Sequence, residues 1–480
     1  MFFFKTNLES TASLDGLKQH KSVLMLLLIA FICLVNFPTE MRGLYQANYC
    51  VDTVGLLIAA GVLLNRYAQN DLKLFEPLVY CTVIYVSMFF FMPMYDICTN
   101  QILWFGFDFF QYGITASWYA IIGYLSFVSF YFFQKQRSNA SKCALRQVFV
   151  INSRYVSILI VAMYSISLLA KLYYLIALSG NSIVYILTFG LLGSSGGETI
   201  EAQIGFVNML SYCLPALTLL YLAYGRSKTL KTLFLYLMIM TQMADGFRFI
   251  IVETAYMLLA YYCLSRGRRP KIGSLVFVVI LLLIPIFAMT LFRNSIRDGS
   301  GLDLSTLSSI NVMDVFDDAI FFNLRIYKNY YGLFGVVPSL YPYQYFDMII
   351  KRTILMVVPH AIWPNKYDGF VSPGIEVYYG GPFLGTGQAY PNLGEFYLAF
   401  DIIGVIAFMG LFGLWMGRLK RRMALFDDPT ELIAYVSIVA NCLQLIIRGY
   451  TPSNFWLVIF SVLPIYIIRF VCSKRKNPIV

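Results

Sequence analysis

The chain has 480 residues, of which 59% are hydrophobic and only 13% are charged. Soluble domains are usually about half apolar and about a quarter charged, so this composition excludes an ordinary soluble domain. The formal net charge of +11 does not indicate nucleic-acid binding, because the Lys and Arg residues form short clusters between long apolar runs instead of one basic patch.

Long uncharged runs repeat along the chain, and each is close to the roughly 20 residues that cross the ~30 Å hydrocarbon core of a bilayer. They do not alternate apolar and polar residues, which excludes the strands of a membrane β-barrel. The first run, Ser22–Phe37, is not followed by a small-residue cleavage site, so we expect it to remain as a span. The predicted spans are 22–38, 49–65, 76–95, 112–133, 155–178, 204–224, 231–247, 249–264, 273–292, 393–416, 430–448 and 454–471. The sequence therefore predicts an all-α polytopic integral membrane protein with about twelve transmembrane helices.

The distribution of basic residues predicts the orientation of these spans. Placing the N-terminus in the cytoplasm puts 25 of the 36 Lys and Arg residues on the cytoplasmic side, in agreement with the positive-inside rule. The outer segments 96–111 and 179–203 then contain neither Lys nor Arg. The predicted topology is N-in and C-in.

The regular pattern of spans is interrupted once, late in the chain. Residues 1–292 are predicted to form transmembrane helices 1–9, residues 293–392 a large, partly helical extracytoplasmic loop, and residues 393–480 helices 10–12 with a basic cytoplasmic tail. Structureless loops of such length are uncommon unless they are functional. Two stretches of the loop, 313–334 and 343–358, are amphipathic, which predicts helices that lie on the membrane surface.

Missing motifs restrict the chemistry. The sequence contains no Walker A loop, no HExxH motif and no Asp-x-Asp motif. Its cysteines and its two histidines do not have the spacing of metal ligands. We therefore predict no metal and no cofactor, and we expect the energy for any reaction at the outer face to come from an activated substrate.

Two arginine-containing segments are the first candidate sites. Asp245-Gly-Phe-Arg248 connects two short predicted spans, which places Arg248 slightly below the membrane surface. A charged residue inside the membrane is a functional candidate. Alternatively, the Arg248 side chain extends outward to water beside Asp245. In Arg293-Asn-Ser-Ile-Arg297-Asp298 the two arginines are four residues apart and share one helix face. Paired guanidinium groups suit a pyrophosphate, which they hold through bidentate hydrogen bonds. Alternatively, Asp298 pairs with one of them.

Further cations lie in the loop and at the end of the eleventh span. Arg325, Arg352 and Lys366 are loop cations that either bind phosphate or remain solvated. Arg448 ends the eleventh span on the outer side and adds a positive charge to the rim of the bundle.

Two residues are candidate proton acceptors. His360 lies in the loop, and the alternative for a lone histidine is a structural role. Glu395 lies in the predicted first turn of span 10, where the helix dipole favours a carboxylate. Its position at the outer mouth of the bundle also makes it a candidate general base.

These features resemble the Wzy-type O-antigen and capsule repeat-unit polymerases of bacteria. The likeness covers the whole chain at the level of architecture, with about a dozen spans and a large late periplasmic loop. Local similarities occur in Asp245-Gly-Phe-Arg248, Pro359…Trp363-Pro364…Lys366, Gly394-Glu395-Phe-Tyr397…Asp401-Ile-Ile-Gly404 and Arg448-Gly449.

The resemblance implies that a growing glycan leaves undecaprenyl pyrophosphate and is transferred to a hydroxyl of an incoming lipid-linked repeat unit, at the periplasmic face of the bacterial inner membrane. Glu395 or His360 would accept the proton of that hydroxyl. The implied partners are the lipid-linked oligosaccharide donor and acceptor, membrane lipid and a chain-length regulator protein. The residues implied to bind pyrophosphate or glycan are Arg248, Arg293, Arg297, Arg325, Arg352, Lys366 and Arg448.

Two other functions stay open at this point. A flippase or transporter for lipid-linked oligosaccharide would have ionisable residues near the bilayer midplane and two similar halves, whereas here these residues concentrate at the outer rim and in one loop. A ligase that moves finished glycan onto another acceptor would share the donor chemistry, and the sequence does not separate it from a polymerase.

Overall fold

A computed structural model describes most of the chain and is helical apart from one short pair of strands. The described residues are 21–69, 73–138, 149–151, 153–178, 207–243, 248–267, 312–356, 374–381, 389–425 and 428–475, with isolated positions between 270 and 371. The helices are α1 (Lys21–Val35), α2 (Gly43–Ala68), α3 (Pro77–Cys98), α4 (Gly113–Ser138), α5 (Ser153–Leu178), α6 (Leu214–Tyr224), α7 (Lys228–Met243), α8 (Arg248–Ser265), α9 (Val312–Phe321), α10 (Tyr327–Val336), α11 (Arg352–Met356), α12 (Asn392–Leu425), α13 (Pro429–Ile447) and α14 (Thr451–Cys472).

Shorter elements extend or interrupt these helices. The 3-10 turns are Phe110–Tyr112, Leu210–Cys213, Leu324–Ile326 and Ile375–Tyr379. A π-helical turn, Ser87–Phe91, lies inside α3, and a second, Asp347–Lys351, leads into α11. Two strands, β1 (Phe149–Ile151) and β2 (Ser473–Arg475), pair antiparallel, with Phe149 opposite Arg475.

Eight helices in the described part of the chain are long and apolar enough to cross a membrane, which confirms a multi-pass membrane protein. They correspond to the predicted spans that begin at 49, 76, 112, 155, 204, 393, 430 and 454. Of the other four predicted spans, the first and the eighth are shorter apolar helices, Lys21–Val35 and Phe249–Ser265. The seventh is the 16-residue helix α7, and most of span 273–292 lies outside the described residues.

The most extensive helix contact joins α4 and α12, and glycines make it possible. A Cβ atom on Gly413 would lie 2.2 Å from the carbonyl oxygen of Phe127, and one on Gly410 would lie 3.0 Å from the ring of Phe130. Close approach of two backbones at small residues is the usual way in which membrane helices gain contact. The two helices bury this surface in a core shared with α2, α3 and α10.

A second hydrophobic core lies among α5, α6, α8 and α14. Helix α13 connects the two cores, because Ile433, Val436 and Val439 belong to the second, whereas Ile438 and Cys442 belong to the first. Nearly all of α13 is buried, so the turn that follows it is held in a fixed place at the end of the bundle.

The structure corrects one expectation about the loop. The stretch 313–334 does form helices, but α10 does not lie on the membrane surface. Tyr327, Tyr330 and Tyr331 are buried against α4 and the Phe110 turn, and Tyr330 donates a hydrogen bond to the carbonyl of Ala116. The apolar side of this stretch is aromatic, and it packs into the bundle instead of against lipid.

Helix α12 is broken at Phe400–Asp401, where Asp401 has a left-handed φ of 54°. The break lies beside the loop: Gln344 donates its backbone N–H to the carbonyl of Leu398 at 2.8 Å. The Asp401 carboxylate accepts a hydrogen bond of 2.8 Å from the hydroxyl of Tyr119 on α4. The Gln344 bond and ring contacts of Tyr345 and Phe346 with Phe400 attach this part of the loop to α12.

The glycine packing predicts that Gly413→Ala separates α4 from α12. Overfilling a packed interface costs about 1–3 kcal/mol, and we expect a loss of that size in the free energy of unfolding in detergent. Gly61→Ala in α2 is the matched control, because a Cβ atom there meets nothing within 4 Å, and it should be neutral or slightly stabilising. Equal thermal stability of the two variants would contradict the packing argument.

Candidate functional site

The described side chains include four of the nine predicted site residues, namely Arg325, Arg352, Glu395 and Arg448. Arg248 is the first residue of α8, and its side chain lies outside the described part of the structure. The other predicted site residues outside the described part of the structure are Arg293, Arg297, His360 and Lys366. The roles of these five residues therefore stay predictions.

Arg448 lies in the turn between α13 and α14, where it meets two other segments. Its guanidinium carbon is 5.1 Å from the centre of the Phe249 ring, in the first turn of α8. Its Nη2 donates to the side-chain oxygen of Asn323 at 3.3 Å. Because Arg248 precedes Phe249 in the chain, the backbone brings a second predicted arginine close to this position.

A close backbone approach fixes the turn that carries Arg448. Gly449 donates its N–H to the carbonyl of Tyr390 at 3.0 Å, and a Cβ atom on Gly449 would lie 2.0 Å from the backbone nitrogen of Asn392. Only glycine fits at this distance. Asn454 donates a hydrogen bond of 2.6 Å to the carbonyl of Arg448 from the other side, so the residue is held by both flanking segments.

Glu395 is fully buried in the first turn of α12, as the sequence predicted for its place in the helix. Its two carboxylate oxygens accept the backbone N–H of Thr451 at 3.0 and 2.8 Å, and the Thr451 hydroxyl donates to the same carboxylate. Thr451 is the first residue of α14, so Glu395 satisfies a donor that the helix leaves open at its N-terminus.

Arg352 contacts the same turn through Tyr450. Its guanidinium carbon is 4.7 Å from the centre of the Tyr450 ring, a distance typical of a cation–π contact. Trp456 of α14 donates a hydrogen bond of 3.1 Å to the carbonyl of Thr353, which fixes α11 against α14. One turn, residues 448–451, therefore contains the predicted Arg448 and contacts the predicted Arg352 and Glu395.

Tyr390 completes this group. Burial raises the pKa of its hydroxyl; the positive charge of Arg352 opposes the shift, and the charge of Glu395 reinforces it. Both groups therefore act on Tyr390 through space. We call the set Arg352, Tyr390, Glu395, Arg448 and Tyr450 the arginine rim.

Arg325 is not part of the arginine rim but of a separate buried ion network. The Nε of Arg325 donates a hydrogen bond to Asp96 at 3.0 Å, and its other guanidinium nitrogens donate to Asp317 and to the side chain of Gln101. Lys328 forms a second ion pair with Asp96, at 2.8 Å. Burial lowers the pKa of Lys328, and the Asp96 carboxylate opposes that shift. We call these five residues the Asp96 network; it attaches the segment from α9 to α10 to the end of α3.

The search for metal ligands gives a negative result within the described part of the chain. No group of three or more His, Cys, Asp or Glu side chains there could hold a metal ion.

The comparisons with known proteins now decide the family. The model of the family named O-antigen polysaccharide polymerase Wzy matches residues 20–476, which is nearly the whole chain. The chain belongs to this Wzy family. A comparison with curated proteins finds no match, and a comparison with solved structures finds none. Wzy proteins act on lipid-linked oligosaccharide repeat units, so membership confirms the resemblance inferred from the sequence and indicates O-antigen polymerisation.

Sequence reasoning missed several polar residues of this Wzy protein. Asp96 ends an apolar run, and a carboxylate at that position was a signal for a buried partner. Asp401 lies inside a predicted span, where an ionisable residue is a functional candidate by default. Glu253 is buried; its carboxylate accepts the backbone N–H of Gln444 at 2.9 Å and so joins α8 to α13.

The Asp96 network predicts a large effect on stability. Asp96→Ala leaves Arg325 and Lys328 buried with one acid fewer, and breaking a buried ion pair in this way costs about 3–5 kcal/mol. Thermal unfolding in detergent should show this loss. Asp347→Ala removes the partner of Lys351 in an exposed pair of 3.1 Å and should change stability by about 0–1 kcal/mol. A similar small effect from both substitutions would show that the network is not a source of stability.

Proposed function

We propose that this Wzy protein transfers the growing glycan from undecaprenyl pyrophosphate to a hydroxyl of the next lipid-linked repeat unit, at the outer face of the inner membrane. The observation that carries the proposal is that one fixed turn contains Arg448 and, through Tyr450, contacts Arg352. Membership in the Wzy family supplies the class of substrate, and the arginine rim supplies cations suited to its diphosphate.

The chemistry requires stabilisation of negative charge. The bond between the anomeric carbon and the diphosphate oxygen breaks, and its electron pair stays on the diphosphate. The acceptor hydroxyl oxygen forms the new bond to that carbon, and its proton passes to a base. Guanidinium groups hold phosphate oxygens through bidentate hydrogen bonds, and each group aimed at the developing charge contributes roughly 2–4 kcal/mol by analogy with oxyanion-hole donors.

The proposed orientation places the arginine rim outside. It rests on the distribution of Lys and Arg in the sequence and on the charges at the opposite end of the bundle. That end holds Lys420 and Arg66, which pair with Glu76, and Arg469, which pairs with Glu431. With the N-terminus in the cytoplasm, these three cations face inward.

For Glu395 we propose a positioning role. Its carboxylate already accepts both donors of Thr451, and it is buried below the turn that carries Arg448 and Tyr450. It therefore sets the start of α14 and, through it, the place of both arginines. Its predicted role as a general base is a competing assignment, and His360 remains the other predicted proton acceptor.

Arg352→Ala and Arg448→Ala test the arginine rim. In a host with the chromosomal copy deleted, each variant at normal protein level should lower polymerisation by about 10²–10³-fold, the effect of removing one charge-stabilising donor. Gel analysis of surface glycan should show single-repeat chains in place of a ladder.

Lys351→Ala is the matched control, because Lys351 adjoins Arg352 but is exposed and pairs with Asp347; its ladder should be complete. A full ladder from both arginine variants would remove the rim from the mechanism. Loss of all surface glycan, including single repeats, would indicate transport instead of polymerisation.

Glu395→Gln separates the two roles of Glu395. Glutamine keeps an oxygen that accepts the Thr451 N–H but cannot take a proton at neutral pH. A positioning role predicts a ladder within about tenfold of wild type, since the substitution should weaken the contact by no more than the ~1 kcal/mol of a lost cap. Glu395→Leu, which loses the contact, should lose the ladder. A normally folded Glu395→Gln protein without any ladder would instead support the general base.

A further inference from the structure

A groove of about 770 Å³ lies between α7 and α8, and no residue of the arginine rim lines it. Its walls are mainly apolar and include Leu235, Ile239, Leu258 and Leu259. It is the larger of the two cavities that stand out among the described residues; the other, beside Glu253, measures about 40 Å³.

The charged residues of the groove lie at one end. Lys231 is in the first turn of α7, and Arg266 follows the last turn of α8; because the two helices run antiparallel, these residues share an end. Lys231 donates to the carbonyl of Leu222 at 2.8 Å, and Arg266 donates to the Tyr262 hydroxyl at 2.6 Å. Each contact uses one of the three donors of a lysine or the five of an arginine.

No carboxylate forms an ion pair with Lys231 or Arg266 in the described part of the chain. The ion pairs found there belong to Arg66, Arg325, Lys328, Lys351, Lys420 and Arg469. The Arg266 guanidinium is supported instead by the ring of Tyr262, at 4.1 Å. A ring below the guanidinium plane stabilises its charge while its other N–H groups stay available to an anion.

Along α7 the groove is about as long as one leaflet of a bilayer is deep, whereas along α8, from Ile251 to Arg266, it measures about 22 Å at 1.5 Å per residue. From Lys231 to Gln242, the first and last groove residues on α7, the helix rises about 16 Å at 1.5 Å per residue. This is about half of the roughly 30 Å hydrocarbon thickness. A lipid whose phosphate lies beside Lys231 and Arg266 would extend one chain along the whole groove.

We propose that this groove binds one anionic phospholipid of the leaflet at its charged end. The phosphate contacts Lys231 and Arg266, and one acyl chain lies between α7 and α8. Two adjacent cations at the membrane surface favour an anionic over a zwitterionic headgroup, and the apolar walls select a lipid over a soluble phosphate. The proposal is independent of the transferase reaction, since none of these residues belongs to the arginine rim.

Native mass spectrometry of the purified full-length protein in neutral detergent tests the proposal. The probes are phosphatidylglycerol and phosphatidylcholine with the same acyl chains. Wild type should bind one phosphatidylglycerol at least about tenfold more tightly than phosphatidylcholine, and the double variant Lys231→Ala/Arg266→Ala should lose that preference. Lys228→Ala is the control, because Lys228 is exposed at the same end but does not line the groove; it should behave as wild type.

Filling the groove with a larger side chain tests whether the acyl chain of the lipid lies there. Ala255→Trp, or Leu235→Trp on the facing wall if the first variant does not fold, should remove the tight adduct. Inorganic phosphate at millimolar concentration should not displace the lipid. The proposal is overturned if the double variant keeps the preference, if Lys228→Ala loses it equally, if both tryptophan variants still bind the lipid, or if inorganic phosphate competes.

Discussion

The arrangement of the candidate site depends on one junction, where the start of α12 meets the turn between α13 and α14. Gly449 approaches the backbone of Asn392 so closely that no side chain fits, and Glu395 holds Thr451 one turn further along. The chain therefore passes through this point twice, once on leaving the loop and once between two spans. Arg448 and Tyr450 take their places from this contact, and Tyr450 in turn lies under Arg352.

Two further sets of contacts make the loop a part of the bundle. A loop of about a hundred residues would carry a large conformational entropy if it were attached only at its ends. Here the segment from α9 to α10 is held by the Asp96 network, and the segment around Gln344 is held by the break in α12. Both attachments fix segments of the loop against helices, so a substrate that reached the proposed arginines would meet a framework that is already ordered, which lowers the entropy lost on binding.

The features that the sequence predicts well are local. Runs of apolar residues predict eight of the spans because a membrane helix satisfies its backbone within itself, and Glu395 falls in the first turn of α12 because a carboxylate is favoured there. The failures concern pairs that are distant in sequence. Burial of α10 depends on Phe110 and Ala116, and the partner of Arg325 is Asp96, more than two hundred residues earlier. No periodicity in one sequence records such pairs.

The predicted arginines lie in two different environments, which is why Arg325 is assigned to structure while Arg352 and Arg448 stay candidates for the site. Arg325 lies between two carboxylates, Asp96 and Asp317, which balance its charge and occupy its donors; its contribution is to structure. Arg352 and Arg448 lie over aromatic rings. A ring supports a cation through its quadrupole without adding negative charge and without occupying the N–H groups in the guanidinium plane. Because a diphosphate needs both positive charge and N–H donors in one plane, this contrast underlies the proposal that Arg352 and Arg448, and not Arg325, meet the substrate.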